Sequence, residues 1–227
     1  MLHQAMGRIY DATWGRAFSA LYDRVLKGTE EAGMRERRRE VLAQARGRTI
    51  DVGAGTGANL GLFPDGLERI VMAEPDPHMI KRLRAKLAES PADVEPVEAG
   101  AENLPFADDS FDTVVFTLVL CTVPDPRAAL AEAARVLKPD GQMLFVEHVR
   151  AEDPGTARWQ DRLERPWKFF ADGCRCNRDT VANIEASPLA IEQVEHGQLP
   201  KSPPIVRPLV WGRATPADPP GHAINAR

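Results

Sequence analysis

The chain has 227 residues, of which 43% are hydrophobic and 27% are charged. This composition is typical of one globular domain with extensions and excludes a fibrous or wholly disordered chain. The formal net charge of -4 gives no electrostatic reason to expect a nucleic acid partner. The odd number of cysteines, three, argues against a disulfide framework.

The sequence shows no segment typical of export or of a membrane span. Met1 to Arg16 carries charges where a signal peptide has an apolar stretch. The longest uncharged apolar run, Thr113 to Val123, has eleven residues, well short of the ~20 that a membrane helix needs. We therefore expect a soluble, cytoplasmic protein without a stable membrane anchor.

Residues 1–47 are predicted to form an N-terminal helical cap, interrupted at Gly28 and Gly33. In residues 48–214 short apolar strands alternate with amphipathic helices, which predicts a parallel sheet with right-handed crossovers. The predicted strands are residues 49–52, 70–73, 94–98, 113–118 and 142–147, and the predicted helices are residues 59–63, 78–89 and 127–136. A turn at residues 137–141 is predicted to end the last of these helices.

The character of the sequence changes after Arg150. Residues 151–190 are predicted to cover the acceptor side of the domain, with helices at 159–171 and, capped by Asn177, at 178–187. Residues 194–198 and 205–212 are predicted to form a closing hairpin. Residues 215–227 hold three prolines and almost no apolar side chains, which predicts a disordered tail.

Two polar clusters receive a structural interpretation. The arginines of residues 35–39 alternate with acidic side chains, which indicates a solvated helix face. Cys174 and Cys176 are spaced C-x-C, but no second Cys/His pair stands at zinc-finger spacing. The sequence therefore predicts no metal site.

A glycine-rich segment, Asp51-Val52-Gly53-Ala54-Gly55-Thr56-Gly57-Ala58, follows the first predicted strand. Glycines at this point let the backbone approach a ligand closely, and the spacing also satisfies the fingerprint of dinucleotide-binding proteins. Asp51 distinguishes the two ligand classes, because a carboxylate beside the loop repels a pyrophosphate and attracts a cation. S-adenosylmethionine carries an ammonium and a sulfonium, so it is the predicted ligand, with NAD as the alternative.

Two further segments fit an adenosyl ligand. Glu74, 21 residues beyond Gly53 at the end of the second predicted strand, is placed to accept hydrogen bonds from ribose hydroxyls. Ala101 and Glu102 follow the third strand and are placed beside an adenine ring. A solvated carboxylate and a simple turn are the corresponding structural alternatives.

These motifs, together with Arg135-Val136-Leu137-Lys138-Pro139-Asp140-Gly141, resemble the class I S-adenosylmethionine-dependent methyltransferases over Thr49 to Glu147. The resemblance implies an α/β, Rossmann-like, doubly wound sheet of seven strands in the order 3-2-1-4-5-7-6, with a reversed seventh strand supplied by residues 205–212. The predicted donor-binding residues are Asp51, Gly53, Ala54, Gly55, Gly57, Glu74, Pro75, Ala101, Glu102, Thr117 and Leu118.

A narrower resemblance extends beyond this core. The segments Thr117-Leu118-Val119-Leu120-Cys121, Glu147-His148-Val149, Pro166-Trp167-Lys168 and Asp172-Gly173-Cys174 are similar to the methyltransferase-like alkyl thiol methyltransferases. That family implies S-methylation of small thiols or sulfide. Its members begin with an apolar membrane anchor, whereas the start of this chain is charged, so lipophilic, membrane-delivered thiols are not the expected substrates.

Methyl transfer from a sulfonium depends mainly on orienting the two reactants, and a base is helpful but not obligatory for a thiol. His148 and Asp172 are the candidate catalytic residues, because both are expected at the carboxyl ends of the strands. A structural histidine and a helix-capping aspartate are the alternatives. We read Cys121 as a small buried thiol. The aromatic residues expected to wall the acceptor pocket are Trp14, Tyr22, Trp159, Trp167, Phe169 and Phe170.

The sequence therefore predicts a methyltransferase that acts on a small molecule, with a thiol as the favoured acceptor. Methylation of an amine, including the phosphatidylethanolamine headgroup, stays open as a second activity. A non-catalytic module that binds S-adenosylmethionine to regulate a partner is the third possibility.

Overall fold

The computed structural model describes residues 16–89 and 93–217. The strands are β1 (Arg48–Val52), β2 (Arg69–Ala73), β3 (Val94–Val97), β4 (Phe111–Thr117), β5 (Leu137–His148), β6 (Leu189–Gln198) and β7 (Pro208–Pro216). The α-helices are α1 (Arg16–Thr29), α2 (Arg35–Leu42), α3 (Pro77–Ala88), α4 (Pro126–Val136), α5 (Pro154–Phe170) and α6 (Thr180–Glu185). A π-helix, Glu30–Met34, joins α1 to α2, and a 3-10 helix, Pro204–Val206, precedes β7.

The strands form one sheet of seven in the order β3-β2-β1-β4-β5-β7-β6. Strands β1 to β5 are parallel to one another, and β7 runs antiparallel to both β5 and β6. This arrangement confirms the predicted strand order and the reversed strand. Because parallel strands carry their loops at the same edge, the segments that follow β1, β2, β4 and β5 meet at one end of the sheet.

The central strands are buried on both faces, as expected of parallel strands between two helical layers. In β4, Val114 and Phe116 pack into the larger core on one face, whereas Val115 packs into a separate core on the other. Phe145 and Leu144 of β5 divide between the same two cores. This alternation gives the sheet a hydrophobic layer on each side.

Three helices begin at an Asp-Pro dipeptide. Asp76, Asp125 and Asp153 are the N-caps of α3, α4 and α5, and a proline occupies the first turn of each helix. Each carboxylate accepts hydrogen bonds from backbone N–H groups of the first turn, as Asp76 does from Met79 at 2.7 Å. The aspartate satisfies otherwise unpaired donors, and the proline lacks the N–H that would have been unpaired.

The predicted helix at residues 59–63 is wrong. The chain runs from Gly53 to Leu62 through successive turns. Gly53, Gly55, Gly57 and Gly61 have φ values between 57° and 85°, which a right-handed helix cannot contain. The loop after β1 is therefore built almost entirely from turns.

Two other local predictions also need correction. The predicted turn at residues 137–141 belongs to β5, where the pairing with β4 shifts register between Phe111 and Thr113. The helix near residue 180 is capped by Asp179, whose side chain accepts from Ala182 N, and not by Asn177.

The last strand extends further along the chain than predicted. Strand β7 continues to Pro216, so residues 215 and 216 pair with β6 instead of beginning a tail. Residues 1–15 and 218–227 lie outside the described part, and so do most of the predicted tail and the start of the predicted cap. None of the described helices combines the length and apolar character that crossing a bilayer requires.

The arginine cluster on α2 is only partly a solvated face. Arg37 and Arg39 pair with Glu40 and Glu36 at the surface, as predicted. The Arg38 side chain, in contrast, is only 2% exposed. Successive helical residues point in directions about 100° apart, so Arg38 can face inward while its neighbours face solvent.

Gly212 allows the close approach of β6 to β7. A Cβ atom at this position would lie 2.0 Å from the carbonyl oxygen of Gln193. We expect Gly212→Ala to lower the free energy of unfolding by at least the roughly 1–3 kcal/mol typical of overpacking, measured by chemical denaturation. Gly28→Ala is the control, because a Cβ there meets no atom within 4 Å and helical Ala is favoured over Gly. Equal stability of Gly212→Ala and the native protein would contradict the close approach.

Candidate active site

A cavity of about 700 Å³ lies at the carboxyl ends of the central strands. Its lining is predominantly apolar, and its size is within the range of small-molecule sites. Residues of α1, including Tyr22 and Leu26, form one wall, and the segment from Trp167 to Cys174 forms another. The predicted helical cap and the predicted acceptor-side cover thus both contribute to this cavity.

Most of the predicted site residues line this cavity. Those that line it are Gly53, Gly55, Glu74, Pro75, Ala101, Glu102, Leu118, His148 and Asp172. Among the described residues, those that do not line the cavity are Asp51, Ala54, Gly57 and Thr117. The structure therefore brings the two candidate catalytic residues and most of the predicted donor-binding residues around one space.

Glu74 connects β2 to the glycine loop. Its Oε2 accepts a hydrogen bond from Gly55 N at 2.8 Å, and its Oε1 accepts one from Asp76 N at 2.8 Å. The side chain is only 7% exposed. Burial raises the pKa of Glu74 to about 7, although the two backbone N–H groups oppose this shift. The carboxylate thus holds the loop after β1 against the loop after β2.

Two glycines of the loop have different surroundings. A Cβ on Gly53 would lie 2.6 Å from the Val119 side chain, so this glycine permits the loop to pack against the turn after β4. A Cβ on Gly55 would meet no atom within 4 Å, and Gly55 lines the cavity. The backbone at Gly55 is therefore accessible to a ligand.

Asp51 is fully buried beneath the loop. Both of its carboxylate oxygens accept from Asn59 Nδ2 at 3.0 Å, and the same nitrogen donates to Thr117 Oγ1 at 2.8 Å. Burial raises the pKa of Asp51 to about 7, while Asn59 and Arg38 lower it. A contribution of Asp51 to donor binding stays a prediction.

Arg38 and Asn59 are buried residues that the sequence reasoning missed. Arg38 Nη1 donates to Asn59 Oδ1 at 3.0 Å, and Arg38 Nε donates to Glu30 Oε1 at 3.1 Å. This chain of contacts links the N-terminal helices to the carboxylate of Asp51. The run of adjacent arginines is the only hint in the sequence, because their directions on a helix differ by about 100° and one of them can point inward.

Glu147 was also missed as a site residue. It is fully buried, and its Oε1 accepts from Val119 N at 2.8 Å and from Leu120 N at 3.0 Å. These bonds hold the turn that follows β4 against the end of β5. Burial raises the pKa of Glu147, with the backbone donors acting in the opposite direction.

Three side chains that can bind a metal ion lie close together in the cavity wall. Cys121, His148 and Cys174 are buried, and one potential ligand atom from each lies within 4.8 Å of the other two. His148 Nε2 lies 2.9 Å from Cys174 Sγ. Hydrogen bonding to Cys174 and burial together raise the pKa of Cys121 well above its ordinary value. Cys176 is not in this group, and its thiol lies 3.6 Å from the carbonyl oxygen of Gln160.

The predicted aromatic wall is present in part. Tyr22, Trp167 and Phe170 line the cavity. Trp159 and Phe169, which are 57% and 55% exposed, are not among the described residues that line it. Trp14 lies outside the described residues. The acceptor side is therefore bounded by one face of α5 together with α1.

The raised pKa of Glu74 predicts a pH dependence of stability in the donor-free protein. Between pH 4.5 and about 7 the native state keeps the proton that the unfolded chain has lost, so stability is full below pH 4.5 and is lost as the pH rises through 7. We expect Glu74→Gln to reduce this pH-dependent decrease in the free energy of unfolding by about 3 kcal/mol, because one pKa unit corresponds to 1.36 kcal/mol. The measurement is urea denaturation of both proteins across this range, with Glu185→Gln, at the surface, as the control. Parallel pH profiles of the native protein and Glu74→Gln would contradict the shift.

Comparison with known proteins identifies the family. Residues 50–145 match the model of a methyltransferase domain. Thiol S-methyltransferase TMT1B of Homo sapiens is 36% identical over 203 residues, which cover 84% of this chain and 82% of the human protein. Phosphatidylethanolamine N-methyltransferase of Cereibacter sphaeroides is 31% identical over 191 residues, which cover 81% of this chain and 88% of that protein.

The solved structures agree at the level of the fold. The crystal structure of YcgJ from Bacillus subtilis matches with a TM-score of 0.65 and 21% identity, covering 81% of this chain and all of that one. Together with the strand order and the glycine loop, these findings confirm the resemblance inferred from the sequence. The chain belongs to the class I S-adenosylmethionine-dependent methyltransferases, in the family that includes the thiol S-methyltransferases.

Proposed function

We propose that this protein transfers a methyl group from S-adenosylmethionine to a small thiol. The observation that carries the proposal is that one cavity joins the glycine loop and Glu74 to an apolar region bounded by Trp167, His148 and Cys174. Donor and acceptor can therefore occupy one predominantly apolar space. Orientation of two reactants in such a space supplies a large part of the rate enhancement of group transfer.

The donor end of the cavity fits an adenosyl group. Each Glu74 oxygen already accepts one backbone N–H. An ionised carboxylate has about four acceptor positions, so two remain for ribose hydroxyls. Ala101 and Glu102 line the same space and are the proposed neighbours of the adenine. When bound, S-adenosylmethionine supplies a methyl group on a cationic sulfur.

The charges at this end favour a cationic ligand over a diphosphate. Asp51 and Glu74 are both buried, burial raises the pKa of each, and the Glu74 carboxylate raises the pKa of Asp51 further. A bound cation stabilises their ionised forms, whereas a pyrophosphate would add further negative charge at low dielectric. This balance supports the sulfonium donor and disfavours NAD.

The acceptor end suits an apolar molecule with a weakly acidic hydrogen. Trp167, Val123 and Val206 provide apolar surface there. A thiol has a reference pKa of about 8.5 and is partly ionised near neutral pH. His148 and Asp172, which also line the cavity, are the proposed acceptors of its proton. The human relative named as a thiol S-methyltransferase supports the same acceptor class.

Amine methylation is the second candidate function. The relative named as a phosphatidylethanolamine N-methyltransferase, at 31% identity, is the observation that favours it. An amine has to lose its proton before it attacks, so it depends more strongly on a base than a thiol does. Comparison of a small alkyl thiol with ethanolamine lipids, with methyl gain read by mass spectrometry, separates the two activities.

Glu74→Ala is expected to weaken binding of S-adenosylmethionine by roughly 1.5–3 kcal/mol, the value of hydrogen bonds to a charged group. Isothermal titration calorimetry measures this loss. Glu185→Ala removes an exposed carboxylate from α6 and is expected to leave the affinity unchanged. Unchanged affinity in Glu74→Ala would mean that the ribose is held elsewhere.

Trp167→Ala is expected to raise KM for a small alkyl thiol by about tenfold, equivalent to about 1.4 kcal/mol, and to leave KM for the donor unchanged. The physical reason is the loss of apolar surface at the acceptor end. Trp159→Ala removes the same side chain from an exposed position of α5 and is the matched control. A rise in the donor KM alone would place Trp167 at the donor end of the cavity instead of the acceptor end.

Donor binding without transfer to any thiol or amine would indicate a regulatory module instead.

A further inference from the structure

We propose that Cys121, His148 and Cys174 bind a zinc ion, and that the acceptor thiol takes the fourth coordination position. This inference rests on the proposed function, because it names the group that activates the thiol. The three residues come from the turn after β4, the end of β5 and the loop after α5. All three line the cavity, so a ligand inside it can reach an ion held between them.

The distances are compatible with tetrahedral zinc. The three potential ligand atoms lie within 4.8 Å of one another. Zinc bonds of about 2.3 Å to sulfur and about 2.0 Å to nitrogen place tetrahedral sulfur and nitrogen ligands roughly 3.5 Å apart. His148 Nε2 and Cys174 Sγ are 2.9 Å apart, so a small separation of these two side chains admits the ion.

Side-chain hydrogen bonds fix the backbone before and after Cys121. Glu147 accepts hydrogen bonds from the two residues that precede Cys121 by one and two positions. Arg178 Nη1 donates to the carbonyl oxygens of Leu120 and Val123, the latter at 2.8 Å. Ligands on a fixed backbone bind a metal ion with less loss of entropy, so this turn is suited to a metal site.

The loop that carries Cys174 is tied to the same turn. Arg175 N donates to the carbonyl oxygen of Cys121 at 2.9 Å. Trp167 Nε1 donates to Cys174 Sγ at 3.2 Å, and an N–H donor of this kind stabilises a metal-bound thiolate. Among the described residues, the buried His148 Nδ1 has no hydrogen-bond partner.

The number and type of ligands indicate a catalytic rather than a structural site. Structural zinc has four protein ligands, whereas catalytic zinc has three and an open position. In the described part of the chain, this group has three members. Two thiolates and a neutral imidazole cancel the charge of Zn²⁺, so the complex can accept a further thiolate opposite the cationic donor.

The proposed step balances without another reactant. The acceptor thiol loses its proton to solvent when its sulfur binds zinc, because a metal-coordinated thiol is deprotonated. A sulfur lone pair then forms the bond to the donor methyl group. The bond between that methyl group and the donor sulfur breaks, and its electron pair stays on the donor sulfur. The neutral thioether product then leaves zinc. With zinc bound, His148 is a ligand, so loss of the proton to solvent replaces the transfer to His148 proposed for the metal-free protein.

Metal binding by the purified full-length chain tests the site independently of activity. After incubation with Zn²⁺ and desalting, we expect one zinc ion per chain by mass spectrometry. Loss of a residue that only hydrogen-bonds to a metal ligand typically weakens metal binding roughly 10- to 100-fold. Because Cys174 is itself a ligand, we expect Cys174→Ser to weaken zinc binding by more than this. Cys176→Ser, two positions away and outside the group, should bind zinc as the native protein does. Circular dichroism verifies the fold of each variant, and Cys121→Ser repeats the test if Cys174→Ser does not fold.

Cobalt substitution tests the open position. We expect a thiolate-to-cobalt absorption band in the native protein, and a change in the visible bands when a small alkyl thiol is added. No zinc binding, equal binding by Cys174→Ser, or an unchanged spectrum with thiol would each overturn the proposal. Thiol methylation at an undiminished rate by metal-free protein would overturn the zinc site and leave the proposed function intact. Zinc and thiol binding without methyl transfer would support the site and contradict the proposed function.

Discussion

A buried carboxylate has to be hydrogen-bonded, and three buried carboxylates hold the loops at the carboxyl end of this sheet. Asp51, Glu74 and Glu147 stand at the ends of β1, β2 and β5, and each is less than 10% exposed. Each accepts hydrogen bonds from a loop that follows a strand. Since an unpaired buried charge costs several kcal/mol, these loops cannot move away without exposing or neutralising a carboxylate.

Two of these contacts, those of Glu74 and Glu147, hold loops at the two ends of the cavity. Glu74 holds the glycine loop open toward the donor end, where Gly55 presents its backbone. Glu147 holds the turn after β4, which brings Cys121 toward His148. The negative charge lies at the end where a cationic donor is proposed. The apolar surface and soft side chains lie at the end where a thiol is proposed.

The proposed zinc ion would change the ionisation of Cys121 at the acceptor end. Burial and contact with Cys174 keep Cys121 protonated in the absence of a cation. A soft cation among Cys121, His148 and Cys174 reverses that preference, because it stabilises thiolates directly. The same cation would also stabilise the thiolate form of an acceptor thiol that enters the cavity. Stabilisation of a thiolate is thus the property that connects the cluster of Cys121, His148 and Cys174 with a thiol acceptor, the class that the family indicates.

Features carried by neighbouring residues were readable from the sequence. The alternation of strands and helices and the placement of Gly53, Gly55 and Glu74 needed only local patterns and known sheet geometry. The resemblance to a known family supplied the strand order. Helix formation at residues 59–63 was misjudged because periodicity alone does not show that four glycines adopt positive φ.

Tertiary structure alone decided which distant side chains meet. Arg38 reaches Asn59 across 21 positions, and His148 reaches Cys174 across 26. In the sequence, Cys174 is two residues from Cys176, yet its neighbours in space are Cys121 and His148. Parallel strands collect their loops at one edge, so proximity there depends on strand order and not on spacing along the chain. The sequence by itself thus determined the fold class and the position of the glycine loop, whereas only the folded chain placed a carboxylate network and the cluster of Cys121, His148 and Cys174 around one cavity.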